Sequence, residues 1–223
     1  MAAAAPTLEW ERELAAQGYQ LVAGCDEVGR GSLAGPVSVG VVVIHADTAA
    51  ELPGVKDSKL LRPLVREALV PAIADWAAAI AVGHASAQEI DDVGLVAALR
   101  LAGTRAMAQA ATTLVPDFVI LDGNQDWLST PEQPALDLFA AAAQASAVPW
   151  RIQTRIKADM TCLSVAAASV LAKVERDGIM AGLAEQFPAY GWQANMGYGT
   201  AAHRTAIAEL GPTDYHRKSW RLI

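Results

Sequence analysis

Hydrophobic positions in this chain fall into short, nearly unbroken runs separated by stretches of helical spacing. Leu8, Trp10, Leu14 and Ala15 predict a short leading helix over Thr7–Gln17. Strands follow over about Gln20–Asp26 and Pro36–Ile44, the second a β-branched run suited to burial on both faces. Next come a helix over Arg62–Ala74, a loosely alternating strand over Trp76–Ala87, and a helix over Ala87–Thr112 interrupted near Asp92–Gly94. Leu95, Leu99, Ala102 and Ala106 form its core face. A compact strand over Pro116–Leu121, an alanine-rich helix at about Ala135–Ala147 and a strand over Trp150–Ile156 continue the alternation. A long helix over Thr161–Gln186 carries a face of small residues, which permits close packing on a sheet, and a last helix spans about Thr200–Leu210. The pattern is that of an α/β protein.

Length and composition narrow this further. The chain has 223 residues, 53% of them apolar, enough for a real core in one domain spanning 1–223. No apolar run reaches the length of a membrane span, and Met1–Pro6 lacks the basic start of a signal peptide, so a cytoplasmic protein is expected. Cys25 and Cys162 are expected to be buried free thiols, and no Cys/His spacing suggests zinc. A formal net charge of −7 argues against coating of nucleic acid by the whole surface, while leaving room for a local basic groove.

The densest chemistry lies in L-V-A-G-C-D-E-V-G-R-G-S-L-A-G-P, residues 21–36. Asp26 and Glu27 end an apolar strand, and Gly29-Arg30-Gly31 follows. Neighbouring side chains in a strand point to opposite faces, so both acids can serve one site only if the strand ends between them. An acidic hairpin turn would explain the acids and glycines taken separately. It would not explain an arginine and two carboxylates crowding one strand end, where like charges repel unless a cation sits between them.

Two further acids occupy comparable places. Asp122 follows the strand Pro116–Leu121 and precedes a glycine, the position where open α/β sheets hold ligands, although a turn or N-cap aspartate reads the same way. Asp159 stands at the start of the long helix, where a simple N-cap is an equal alternative. Lys56, Ser58 and Lys59 form a loop cluster able to hold phosphates, or equally a solvated turn. The segment 187–223 interleaves aromatics and glycines with Arg204, Arg217, Lys218 and Arg221, which suits stacking on nucleic acid; Tyr190 and Trp192 fit packing as well. If Asp26, Glu27, Asp122 and Asp159 converge, divalent cations make the crowding tolerable, and oxygen donors suit two Mg²⁺ or Mn²⁺ ions acting on a phosphodiester.

The stretches D-E-V-G-R-G-S-L-A-G-P, K-D-S-K-L, L-D-G, K-A-D with A-A-A-S-V-L-A-K-V-E-R-D, and M-G-Y-G-T-A-A-H resemble the ribonuclease HII family in matching order, over about Val22–Trp220. The resemblance implies a ribonuclease H-like fold: a five-stranded mixed sheet, three antiparallel strands then two parallel ones, flanked by helices, with a C-terminal helical appendage at 187–223. It implies cleavage of RNA in RNA–DNA hybrids and on the 5′ side of single ribonucleotides in duplex DNA, leaving 3′-hydroxyl and 5′-phosphate ends. Carried over by motif, Asp26, Glu27, Asp122 and Asp159 are catalytic and metal-binding. Gly29, Arg30 and Gly31 would read the 2′-hydroxyl, and Tyr198 would stack at the ribonucleotide junction. A monomer without an obligate protein partner is expected. Met196 departs from the family, which has a lysine there frequently. The stretch 126–148 is longer than usual and is expected to form an extra loop and helix away from the chemistry. A junction resolvase of the same fold has no use for G-R-G with Tyr198, and a non-catalytic hybrid-binding module has no need of all four acids.

Overall fold

The strand-forming runs pair into one mixed sheet of order β3-β2-β1-β4-β5. β1 spans Leu21–Val28, β2 Val37–His45, β3 Ala79–Ala85, β4 Phe118–Asp122 and β5 Arg151–Arg155. β2 runs antiparallel to β1 and β3, whereas β4 and β5 run parallel to β1 and to each other. This is the three-plus-two arrangement expected from the sequence. The computed structural model describes residues 5–129 and 150–223, so the expected helix at 135–147 lies outside the described residues.

Both faces of the sheet are covered. On one side α3 (Ala87–Val93) and α4 (Leu95–Ala111) bury Leu99, Ala102, Ala106 and Met107 against Ala23, Cys25, Val39 and Val41. On the other, α6 (Leu163–Gln186) and α2 (Pro63–Trp76) pack on Val42 and Ile44. β2 is buried at every position but its last, as its β-branched run predicts. Two glycines set the closeness of α6 to the sheet. A Cβ at Gly24 would collide with the backbone of Ser164 and Val165, and one at Gly40 with the Ala168 carbonyl. The small residues along this face of α6 make the approach possible.

The helix α1 (Glu9–Ala16) contributes a buried acid to the same junction. Glu11 Oε1 accepts hydrogen bonds from the Ser164 N–H at 2.9 Å and the Ser164 hydroxyl at 2.7 Å, satisfying a donor in the first turn of α6. Burial raises the Glu11 carboxyl above its ordinary range, and the bonds from Ser164 oppose the rise.

Four expectations need correcting. β1 does not end between Asp26 and Glu27 but continues to Val28; the bend comes at Gly29, whose φ of 82° favours glycine. Trp76 closes α2 rather than opening β3, because the strand needs partners on β2 and pairing begins at Ala79. The long helix does not begin beside Asp159: that residue lies in a separate single turn, α5 (Ala158–Thr161), and an extended Cys162 divides it from α6. The break near Asp92–Gly94 is present, with Gly94 at φ 79° between α3 and α4. Trp127 and Leu128, at the start of the surplus stretch, are core residues packed beside Gly103 rather than part of a remote loop.

Beyond α6 the chain makes a 3-10 turn at Pro188–Tyr190, then α7 (Trp192–Asn195) and α8 (Ala201–Leu210). Tyr190, Trp192 and Ile207 pack with Leu33, Ala34 and Met180, so these two aromatics serve the core. His203 and His216 are buried there in contact, Nε2 to Nε2 at 3.1 Å. Burial lowers the affinity of both for protons, in His216 with help from the charge of His203, to about 4. A histidine lowered in the folded state contributes stability above its unfolded pKa of about 6.5, lost progressively as pH falls toward the folded value. In denaturant melts, the chain should therefore lose more stability between pH 6.5 and 4 than a non-titrating His216→Gln variant. Parallel losses in the two proteins would contradict this.

Candidate active site

The acids meet where β1 and β4 reach their carboxyl ends. Cys25 pairs with Leu121, so Asp26 comes level with Asp122, the last residue of β4, and Glu27 lies one residue past it. Glu27 points to the opposite face from Asp26, as alternation requires. No neighbouring strand on that side continues beyond Asp122, so the longer Glu27 side chain still interacts with the Asp122 charge. Asp159 arrives from α5, which Asp122 itself holds: Asp122 Oδ1 accepts from the Ala158 N–H at 2.7 Å and the Asp159 N–H at 3.4 Å. The left-handed Lys157, φ 59°, makes the sharp entry into that turn. Asp159 thus presents its carboxylate to the site and does not cap its own helix.

The electrostatics record the crowding. Burial, then the charges of Glu27 and Asp122, push the Asp26 carboxyl well above the ordinary range. Burial also raises Glu27, opposed by Arg30, and raises Asp159 together with Asp122 and Asp57, opposed by Lys59. Asp122 contributes to all three shifts and is the electrostatic hub of the set. Side-chain cations stand among the acids: Lys59 Nζ lies 3.4 Å from Asp159 and 3.8 Å from Asp57, and Arg30 Nη1 lies 3.3 Å from Glu27. No group of three or more acids, histidines or cysteines among the described residues closes into a coordination shell. The donors nevertheless fit a hard divalent ion. All four are carboxylates, and Glu27 Oε2 is buried without a hydrogen-bond partner.

Beside the acids, the loop 29–36 is clamped from within by two buried arginines. Arg217 donates to the carbonyls of Gly29 at 2.6 Å, Arg30 at 2.9 Å and Gly35 at 3.2 Å. Arg176, from α6, donates to the Ser32 hydroxyl at 2.6 Å and the carbonyls of Pro36 at 2.9 Å, Met196 at 3.0 Å and Ala34 at 3.2 Å. A trans peptide sends its N–H opposite to its C=O. Turning the Gly29 and Arg30 carbonyls inward therefore turns the Arg30 and Gly31 amides outward. Gly29 lies so close to Arg176 that a Cβ there would strike the guanidinium. Neither arginine's hold on the loop is legible in the sequence. Arg217 reads as part of a basic tail and Arg176 as a helix residue; the buried R in A-K-V-E-R-D was the available signal.

The remaining candidates divide. Tyr198 is 37% exposed and stands beside the clamped loop, its ring centroid 5.6 Å from the Arg176 guanidinium. Gly197, just before it, accepts from the amides of Leu33 and Ala34. Lys59 reaches the acids. Ser58 is buried and faces α6, its hydroxyl accepting from Ser169 at 2.8 Å, while Arg66 holds its carbonyl. Lys56 is partly exposed and forms no hydrogen bond or ion pair to the acids among the described residues. Met196 adopts a left-handed φ of 50°, and its carbonyl, not its side chain, meets Arg176.

A mixed five-stranded sheet with acids gathered at the carboxyl ends of its central strands defines a nuclease of the ribonuclease H-like class. The family model for ribonuclease HII matches residues 23–223. The ribonuclease HII of Streptomyces avermitilis is 44% identical over 219 residues, covering 98% of this chain and 84% of that protein. The crystal structure of the ribonuclease H2 from Pyrococcus horikoshii superposes with a TM-score of 0.69 at 26% identity, covering 91% of this chain and 94% of that one. A Bst ribonuclease HIII in complex with Mn²⁺, 19% identical, shares the fold with a TM-score of 0.68 over 92% of this chain and 68% of its own. The chain belongs to the ribonuclease HII family, and it is a ribonuclease.

Proposed function

We propose that this chain hydrolyses the RNA strand of RNA–DNA hybrids and cuts on the 5′ side of single ribonucleotides in duplex DNA, as the first step of their removal. The observation that carries the reading is the adjacency of the acids to a loop whose outward amides are fixed by Arg217. A 2′-hydroxyl both donates and accepts, and it is the group that separates RNA from DNA. The Arg30 and Gly31 amides can donate to it, while Tyr198 offers a flat face to the neighbouring base or sugar and a polar tip.

Asp26, Glu27, Asp122 and Asp159 would hold the divalent ions, Mg²⁺ or Mn²⁺. Two such ions, when bound, supply activation of water and stabilisation of the departing oxygen. The protein's own task is placement. Asp122 orients α5 and with it Asp159; Lys59 and Arg30 balance the acids until cations arrive; Gly29–Gly31 set the register of the sugar. Cleavage then leaves a 3′-hydroxyl and a 5′-phosphate. Residues 187–223 would act as the substrate-binding appendage of a single domain, with Lys59, 3.4 Å from Asp159, and Lys56 contacting backbone phosphates. The same reading makes the protein a cytoplasmic monomer.

Three substrates test it: a DNA duplex with one ribonucleotide, an all-DNA duplex and a four-way junction, each with and without Mg²⁺. Metal-dependent cutting of the first alone is expected. Cutting of the junction would indicate a resolvase, and binding without cutting a non-catalytic module. Substrate binding should also weaken steeply with salt despite the net charge of −7, because the phosphate contacts are local. A flat salt titration would contradict a local basic groove.

A further inference from the structure

We propose that His203 is a positioning residue for Tyr198, a role that rests on reading Tyr198 as a substrate contact. His203 Nε2 receives the Trp192 indole N–H at 3.0 Å, and an indole can only donate. The same nitrogen lies 3.1 Å from His216 Nε2. His216 Nδ1 in turn accepts the Thr213 N–H at 2.9 Å, so the His216 proton resides on Nε2 and is also directed at His203. Two donors converge on one lone pair, and the His203 proton is left on Nδ1. That nitrogen lies 2.9 Å from the Tyr198 carbonyl.

Tyr198 is therefore fixed through its backbone from two sides. In front, the Gly197 carbonyl takes the amides of Leu33 and Ala34; behind, the Tyr198 carbonyl takes Thr200 N–H at 2.8 Å and His203. The phenol ring remains exposed while its anchor is buried: His203 and Trp192 are 0% exposed and His216 is 1% exposed. Packing alone needs only an apolar side chain of similar volume at residue 203. A chain of donors that imposes one tautomer has a use only if the Nδ1 proton does, and its acceptor belongs to Tyr198.

A double-mutant cycle tests this on a duplex with one ribonucleotide. The rates compared are those of the parent, Tyr198→Ala, His203→Leu, His203→Asn, His203→Gln and the His203→Leu/Tyr198→Ala double variant, with a melting curve for each. Loss of the bond should slow cleavage up to roughly tenfold, the scale of one hydrogen bond. His203→Asn, whose amide replaces the Nδ1 proton, should recover most of the rate. His203→Gln, which places its amide nearer Nε2, should not, and this pair decides the matter if His203→Leu fails to fold. In the Tyr198→Ala background, His203→Leu should cost less than about twofold. An equal cost in both backgrounds, or Asn no better than Gln, would overturn the role of His203 while leaving that of Tyr198 intact. An unchanged rate for Tyr198→Ala would remove the Tyr198 reading itself, and this inference with it.

Discussion

Asp122→Asn should slow cleavage more than about a hundredfold, yet melt no lower than the parent in EDTA. Replacing a residue that merely supports a metal ligand costs about 10–100-fold, and losing a ligand should exceed that. The opposite sign in stability follows from the geometry. Asp122 adds repulsion to Asp26, Glu27 and Asp159, each of which holds its proton more tightly than usual. A carboxyl with a raised folded pKa costs stability above that pKa and less as pH falls through it. Burial is the larger cause of these shifts, and the neutral amide removes the share of the cost that comes from Asp122 at pH 7, while its oxygen can still accept from Ala158. Added Mn²⁺ should then raise the melting temperature of the parent and barely move that of the variant. A variant that cuts at near-normal rate, or gains as much from Mn²⁺ as the parent, would remove Asp122 from the site.

Arg217→Met should be the most damaging change outside the acids. Methionine fills much of the volume but leaves the carbonyls of Arg30 and Gly35 without their donor, at about 1–3 kcal/mol for each acceptor that stays buried, while the Gly29 carbonyl keeps only the Ser32 hydroxyl at 2.9 Å and the Ser32 N–H at 3.3 Å. The melting temperature should fall, and the rate of cleavage at a single ribonucleotide should fall at least roughly tenfold, the equivalent of one hydrogen bond. Arg217→Lys should recover little, since an ammonium cannot span three carbonyls as a planar fork does. An unchanged rate in Arg217→Met would mean that the loop keeps its shape without the clamp.

The sheet was legible because its strands are apolar runs punctuated by glycine, proline and charge, and the small face of α6 was legible because close packing needs small residues. The end of β4 at Asp122 followed from the same pattern. What escaped the sequence depends on tertiary partners. The glycine-rich stretch signalled a bend, but only pairing with β2 decides that β1 continues through Glu27 to Val28. The separate turn carrying Asp159 depends on a left-handed Lys157 and on the Asp122 carboxylate 36 residues away, neither of which has a local signature. Arg176 and Arg217 escaped for a different reason. Arginines are ordinarily exposed, and partners that are backbone carbonyls leave no trace in residue identities. Ser58 reads as a phosphate contact because it lies between Lys56 and Lys59, yet its hydroxyl is turned to Ser169.

The helix α6 joins the two halves of the site. Its first turn is held against β1 at Gly24 and bonded to Glu11 of α1, and Arg176, 13 residues after Leu163, grips the loop 29–36. At 1.5 Å per residue that stretch is a rigid spacer of about 20 Å. On the proposed function it works as a caliper, setting the offset between the nucleotide held by the loop and the bond cut at the acids by a length of helix. One residue inserted between Ala172 and Arg176 would lengthen it by only about 1.5 Å but turn the guanidinium about 100° off the loop. Such an insertion should misalign the cut even with every named side chain still present.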